Sequence, residues 1–162
     1  MNLNTIPGLI ADLDLARANL KRVEEHQAEV LDAVGRETDF FVRSAAGVVL
    51  QDFYNTVEKS LQRIAIELDG AVPTGDAWHQ QLVQRMTVAI PGRRPAVLDQ
   101  ELAMRLSEFL RFRHLFRNIY GFDLDWSRIE PLLTELPLVI ERFSASLDGF
   151  RDYLLALFEE DT

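Results

Sequence analysis

The stretch "FLRFRHLFRNIYGF", residues 109 to 122, gathers Arg111, Arg113, His114 and Arg117 among Phe109, Phe112, Phe116, Tyr120 and Phe122. Arginine and histidine together can act on a phosphate ester. The planar guanidinium offers paired donors to phosphate oxygens, and an imidazole exchanges a proton near neutral pH. Only Glu108 supplies an acid between residues 102 and 122, so these cations are under-neutralised by their own neighbours. The chain as a whole is acidic, with a formal net charge of -9. That balance argues against broad binding to duplexes or membrane surfaces, which needs extended positive charge. It leaves room for a local basic site. Two readings of the cluster stand. In one, the arginines are solvated or ion-paired near the negative end of a helix, above a core of aromatics. In the other, they form an anion site.

The elements that must position these groups read as helices. Ile10, Leu13, Leu15, Leu20, Val23 and Val30 recur at roughly helical intervals and predict a helix over 8–34, ending at Gly35. Thr38 is the expected N-cap of a second helix over 39–69. Its apolar positions are Phe41, Val49, Phe53, Val57, Leu61, Ile64 and Leu68, and Gly70 with "VPTGD" ends it. A third helix is expected over 76–89. "IPGRRPAV" holds Gly92 and two prolines and cannot be regular helix. A fourth, over 99–119, carries the cluster, and "YGFDLD" reads as a loop. "SRIE", Ser127 to Glu130, has capping-box spacing at the start of a last segment over 127–160, with a kink or restart expected at Pro137. No stretch alternates like a strand. The fold class is therefore all-α, an antiparallel bundle of about five helices, in one domain over 1–162.

Bulk properties agree with a self-sufficient core. A chain of 162 residues buries roughly 70% of its unfolded surface. The absence of cysteine excludes disulfides and thiolate metal sites and fits a reducing, cytoplasmic setting. "MNLNTIPGLIADLDLARANL" carries acids early and lacks the apolar core of a signal peptide. No run of about 18 apolar residues suggests a membrane span.

Geometry within the fourth helix matters for chemistry. Arg113 and Arg117 share a face, and His114 and Asn118 form a neighbouring stripe. Arg113 and Asn118 lie about 140° apart at roughly 100° per residue, so one helix alone does not focus them. A helix end, or two copies meeting across a two-fold axis, would. A homodimer whose cleft gathers Arg113, Arg117 and Asn118 from both chains is therefore expected. His26, His79 and His114 show no HxxxH spacing, so neither zinc nor another metal is expected. His79 in "WHQQL" reads as a hydrogen-bonded packing residue. "IPGRRP" has one glycine and no following Lys-Ser/Thr, so it is no phosphate loop, and no cofactor is expected.

The string "RHLFRNIYGFDLDW" resembles the HepT-like ribonuclease toxins of the HEPN superfamily. Their hallmark is Arg, four to six residues, then His, followed in this branch by any residue and Tyr. Arg113, "HLFR", Asn118, Ile119 and Tyr120 fit that frame except at one position. The resemblance extends to "WHQQLVQRM" at Trp78–Met86, "RRP" at Arg93–Pro95 and "DLDW" at Asp123–Trp126. It implies a metal-independent endoribonuclease acting on RNA, the target (tRNA and mRNA included) left open, with Arg113 at the catalytic arginine, Arg117 beside it, and Asn118 where the family has its histidine. An amide hydrogen-bonds but carries no exchangeable proton of the required kind, so this form is expected to be inactive or weakened. His114 is a displaced candidate for the proton carrier. The resemblance further implies a homodimer and a cognate MNT-type nucleotidyltransferase antitoxin that transfers AMP to Tyr120. The alternative is a non-catalytic helical interaction protein whose same surface binds the nucleotidyltransferase.

Overall fold

The structure, a computed structural model, describes residues 3–34, 39–118 and 123–160. After a 3-10 turn at Leu3–Thr5 come α1 (Ile6–Val34), α2 (Phe40–Ile64), α3 (Trp78–Arg85), α4 (Gln100–Asn118) and α5 (Trp126–Glu160). Helix α1 packs along α2 and α5, α4 lies against α2 and α5, and α3 bridges α2 and α4. Among the described residues there is no strand; a lone antiparallel bridge, Ile90 with Arg94, closes the turn inside "IPGRRP". No described helix is long and apolar enough to cross a membrane.

The α1 stripe that packs inward is Ile6, Leu9, Leu13, Ala16, Leu20, Val23, Gln27 and Val30. These positions step by three and four, as a continuously buried helical face must. Leu15 falls off that stripe and is 60% exposed. In α2, Val49, Phe53, Val57, Leu61 and Ile64 are buried as expected, and Leu68 follows just beyond the helix. Phe41 is not: it sits in the first turn and is 76% exposed. Phe53 meets Phe109 of α4 edge-on at 4.9 Å, which ties the two helices at mid-length. Further along, Gly47 lets the Phe116 ring lie directly on the α2 backbone, where any Cβ would collide with it. That close approach seats the C-terminal end of α4.

Several helix ends differ from expectation. Thr38 and Gly35 lie outside the described residues. Asp39 caps α2, its Oδ1 accepting from the Val42 amide at 2.9 Å. Ser127 is not the cap of α5. Asp125 is: its carboxylate accepts from the Ser127 amide at 3.0 Å and hydroxyl at 2.7 Å. Those two bonds hold the Asp125 carboxyl below its ordinary pKa. Helix α3 is shorter than the 76–89 expected, because the Arg94 guanidinium donates to the Arg85 and Val88 carbonyls and turns the chain there. At the end of α2 the backbone widens into a π turn at Ala65–Asp69, closed by Gly70 at φ +83°.

Pro137 does not restart α5, which runs as one helix through Pro131 and Pro137. A proline at 137 deprives the Leu133 carbonyl of its usual donor. Gln27, buried on α1, supplies the replacement: its Nε2 donates to Leu133 O at 2.9 Å. Gln27→Leu should therefore leave a buried carbonyl orphaned and lower stability by about 1–3 kcal/mol, read as a shift of the urea midpoint at constant slope. An unshifted midpoint would show that this carbonyl does not depend on Gln27.

Candidate active site

Helix α4 carries two different faces to its C-terminal end. Inward, Phe109 and Phe112 are buried, and Phe112 stacks on the half-buried Phe116 at 5.8 Å. These aromatics belong to the core or pack against it. Arg113 also points inward and is 8% exposed. Its Nε donates to Asn55 Oδ1 at 3.3 Å and its Nη2 to Glu58 Oε1 at 3.4 Å. Its Nη1 has no hydrogen-bond partner, and the guanidinium carbon lies 5.9 Å from the Tyr54 ring centroid.

Glu58 is the hub of this network. Its second oxygen pairs with His79 Nδ1 from α3. His79 is thus a buried, hydrogen-bonded residue, as its sequence context suggested; its ring stacks on Trp78 at 3.7 Å and meets the His114 ring edge-on at 5.2 Å. Tyr54, packed beneath, has its hydroxyl pushed well above the ordinary tyrosine range, first by burial and then by the Glu58 charge. It stays protonated.

The outward face holds Arg111, His114, Arg117 and Asn118, all exposed. Arg105 and Arg113 find acids on other helices, Glu135 and Glu58. Arg111 and Arg117 make no ion pair among the described residues, so only part of the cationic cluster is neutralised by folding. Desolvation, followed by the neighbouring His79 and the charges of Arg113 and Arg117, holds His114 below the ordinary histidine range. Its imidazole is therefore neutral at pH 7. Asn118 ends α4, and its Nδ2 donates to the His114 carbonyl at 2.7 Å. Within one chain Arg113 and Asn118 are not brought together: one is buried against α2, the other is at the solvent-facing terminus. Tyr120, the expected AMP acceptor, lies outside the described residues.

A cleft of about 360 Å³ separates α3 from α4, lined by Asp76, His79, Gln80, Ser107, Arg111 and His114 among others. Among the described residues no group of His, Asp or Glu is arranged to hold a metal ion. The residues that sequence reading missed are Asn55, Glu58 and Tyr54. Their signal was present: Tyr54, Glu58 and Leu61 occupy one stripe of α2, and an acid on an apolar stripe requires a buried partner.

The sequence model of a family described as "HepT-like protein" matches residues 45–154, from the first third of α2 to near the end of α5. No curated protein and no solved structure matches the chain.

Proposed function

The chain belongs to the HepT-like family of the HEPN superfamily, and on that premise we propose that it is the RNA-directed component of a toxin–antitoxin pair, built as a metal-independent endoribonuclease and weakened at its proton-transfer position. The observation that carries this reading is the outward end of α4. There Arg117 has no ion pair among the described residues, beside an exposed Asn118. In the reaction, the ribose 2′-hydroxyl gives up its proton, O2′ bonds to the adjacent phosphorus, and the P–O5′ bond breaks with O5′ taking a proton. The products are a cyclic phosphate and a 5′-hydroxyl end. Arginine stabilises the charge that grows on the phosphoryl oxygens. The amide of Asn118, held on the His114 carbonyl, cannot move either proton. His114 is the neighbouring imidazole able to accept one. A homodimer would repeat the end of α4 across a two-fold axis and bring arginines of both chains to one phosphate. The direct test is RNA cleavage by the chain and by Asn118→His, developed below.

A second reading is favoured by one specific observation. Arg113 is buried with part of its fork on Glu58 and Asn55, which suits a structural role. The chain is then a non-catalytic helical protein that binds its nucleotidyltransferase partner. Both readings include modification by that partner. Tyr54 is buried, and the half-buried Tyr153 donates its hydroxyl to the Arg93 carbonyl at 3.4 Å. The resemblance of the motif to the family implies Tyr120 as the acceptor. With a cognate nucleotidyltransferase, ATP and Mg²⁺, intact-mass spectrometry should show AMP added to the chain, and Tyr120→Phe should abolish the first addition. The nucleotide's phosphate would pair with neighbouring arginines and repel RNA. Unchanged labelling of Tyr120→Phe would remove Tyr120 from this role.

A further inference from the structure

We propose that the cleft between α3 and α4 is a subsite for the backbone of single-stranded RNA, with Arg111 as its phosphate ligand, placed on the approach to position 118. The choice of RNA rests on the function proposed above; the site itself rests on the geometry that follows.

Ser107, Arg111, His114 and Asn118 step by four, three and four along α4 and so lie on one line of the helix surface. At about 1.5 Å rise per residue, Arg111 stands roughly 10 Å before Asn118 on that line. A strand laid along it passes from the cleft to the end of the helix without crossing another element of α4. The opposite wall is α3, which contributes His79 and Gln80. Residues that carry hydrogen-bond donors line the cavity from both walls: Arg111 and His114 on α4 and Gln80 on α3. Arg111 makes no ion pair among the described residues, whereas Arg105, two turns back, is spent on Glu135.

The wall behind the donors is built rather than incidental. Glu58 fixes His79 through Nδ1, and Trp78 stacks on the other side of that ring. The cleft therefore keeps its shape before a ligand arrives. Arg113 and Arg117 bring positive charge near His114, opposed by the Glu58 carboxylate. Asp76, exposed at the mouth, is the one acid lining the cavity. The pattern suits a phosphodiester, which presents oxygens to several donors and little apolar surface. Ala77 and Leu110 add apolar lining beside these polar groups.

The test uses the chain as it stands and a 2′-O-methyl oligoribonucleotide, which binds but cannot be cleaved. Arg111→Gln should weaken binding roughly tenfold, the effect of losing one charge-assisted hydrogen bond. It should also flatten the plot of log affinity against log salt by about 0.7, one phosphate contact on a single strand. Asp76→Asn should tighten binding. Arg151→Gln, a surface arginine paired with Asp14 between α5 and α1, should change neither. Equal losses in the Arg111 and Arg151 variants, or an unaltered salt slope for Arg111→Gln, overturn the subsite. So does an acidic peptide that binds the cleft in an Arg111-dependent way while the oligoribonucleotide does not, which assigns the cleft to a protein partner. Failure here is separable from failure of the functional reading. If Asn118→His cleaves RNA and Arg111→Gln in that background leaves KM unchanged, the subsite falls and the ribonuclease stands. If the oligoribonucleotide binds as described and Asn118→His cleaves nothing, the subsite stands and the catalytic reading falls.

Discussion

Asn118→His is expected to convert the chain into an RNA-cleaving enzyme, raising turnover roughly 10²–10⁴-fold, the usual worth of positioned general acid–base catalysis. The site receives the substitution without strain. Residue 118 is exposed at the last turn of α4, and its amide makes one bond, to the carbonyl of its own helix. An imidazole there loses that bond and gains a position near the negative end of the helix, which favours its protonated form. Arg117 lies next to it, and no ion pair among the described residues ties that arginine down. Cleavage should persist in EDTA, leave a cyclic or 3′-phosphate end, and fail on 2′-O-methyl RNA, because the 2′-oxygen is the nucleophile. In cells the variant should arrest growth where the chain as written does not. Equal and vigorous cleavage by both forms would show that residue 118 is not the proton carrier and would turn attention to His114. If neither form cleaves while both bind the nucleotidyltransferase, the interaction-protein reading prevails.

The second large effect concerns stability. Arg94→Met is expected to cost about 3–5 kcal/mol, the usual loss when one partner of a buried ion pair is removed. Asp69 and Arg94 both have side chains at 0% exposure. Two bonds join them, Nε to Oδ1 at 2.7 Å and Nη2 to Oδ2 at 2.9 Å. The remaining donors of Arg94 satisfy the carbonyls of Arg85, Val88 and Pro95. Arg93 beside it donates to the Leu68 and Asp69 carbonyls. The "RRP" stretch is thus a clamp that fastens the loop before α4 to the π turn at the end of α2 and sets where α3 stops. Without Arg94, Asp69 keeps only Arg85, at 3.1 Å and more than a third exposed. Against a typical domain stability of about 5–15 kcal/mol, that is a large fraction. Asp69→Leu combined with Arg94→Met should recover part of the loss, since it removes the stranded charge as well. Denaturant melts of the two variants decide it. A single variant within 1 kcal/mol of the parent (about the worth of a surface pair) would show that the clamp carries little.

The sequence by itself determined the class of fold and the order of the helices. Three- and four-residue spacing of apolar side chains permits little else, and Gly70, Gly92 and the prolines mark where helices cannot continue. It also marked the cluster at the end of α4 and its resemblance to a motif that has histidine where this chain has Asn118, because these are matters of residue type and local order. The continuity of α5 and the end of α3 were settled by groups outside the local pattern. Pro137 reads as a break only until Gln27, more than a hundred residues earlier, is seen feeding the carbonyl that the proline leaves bare. Helix α3 stops at Arg85 because Arg94 claims its carbonyls, which no helical pattern records.

What only the tertiary structure decided is the direction in which the charges of α4 face. Arg111 and Arg113 are alike in composition and two residues apart. Helical rotation turns Arg113 onto Glu58 of α2 and leaves Arg111 in the cleft against α3. The acid that neutralises one arginine lies on another helix, 55 residues away. A charge is free or spent according to what the packed bundle sets opposite it, and the strength of that pairing depends on distance and burial, which sequence order does not contain.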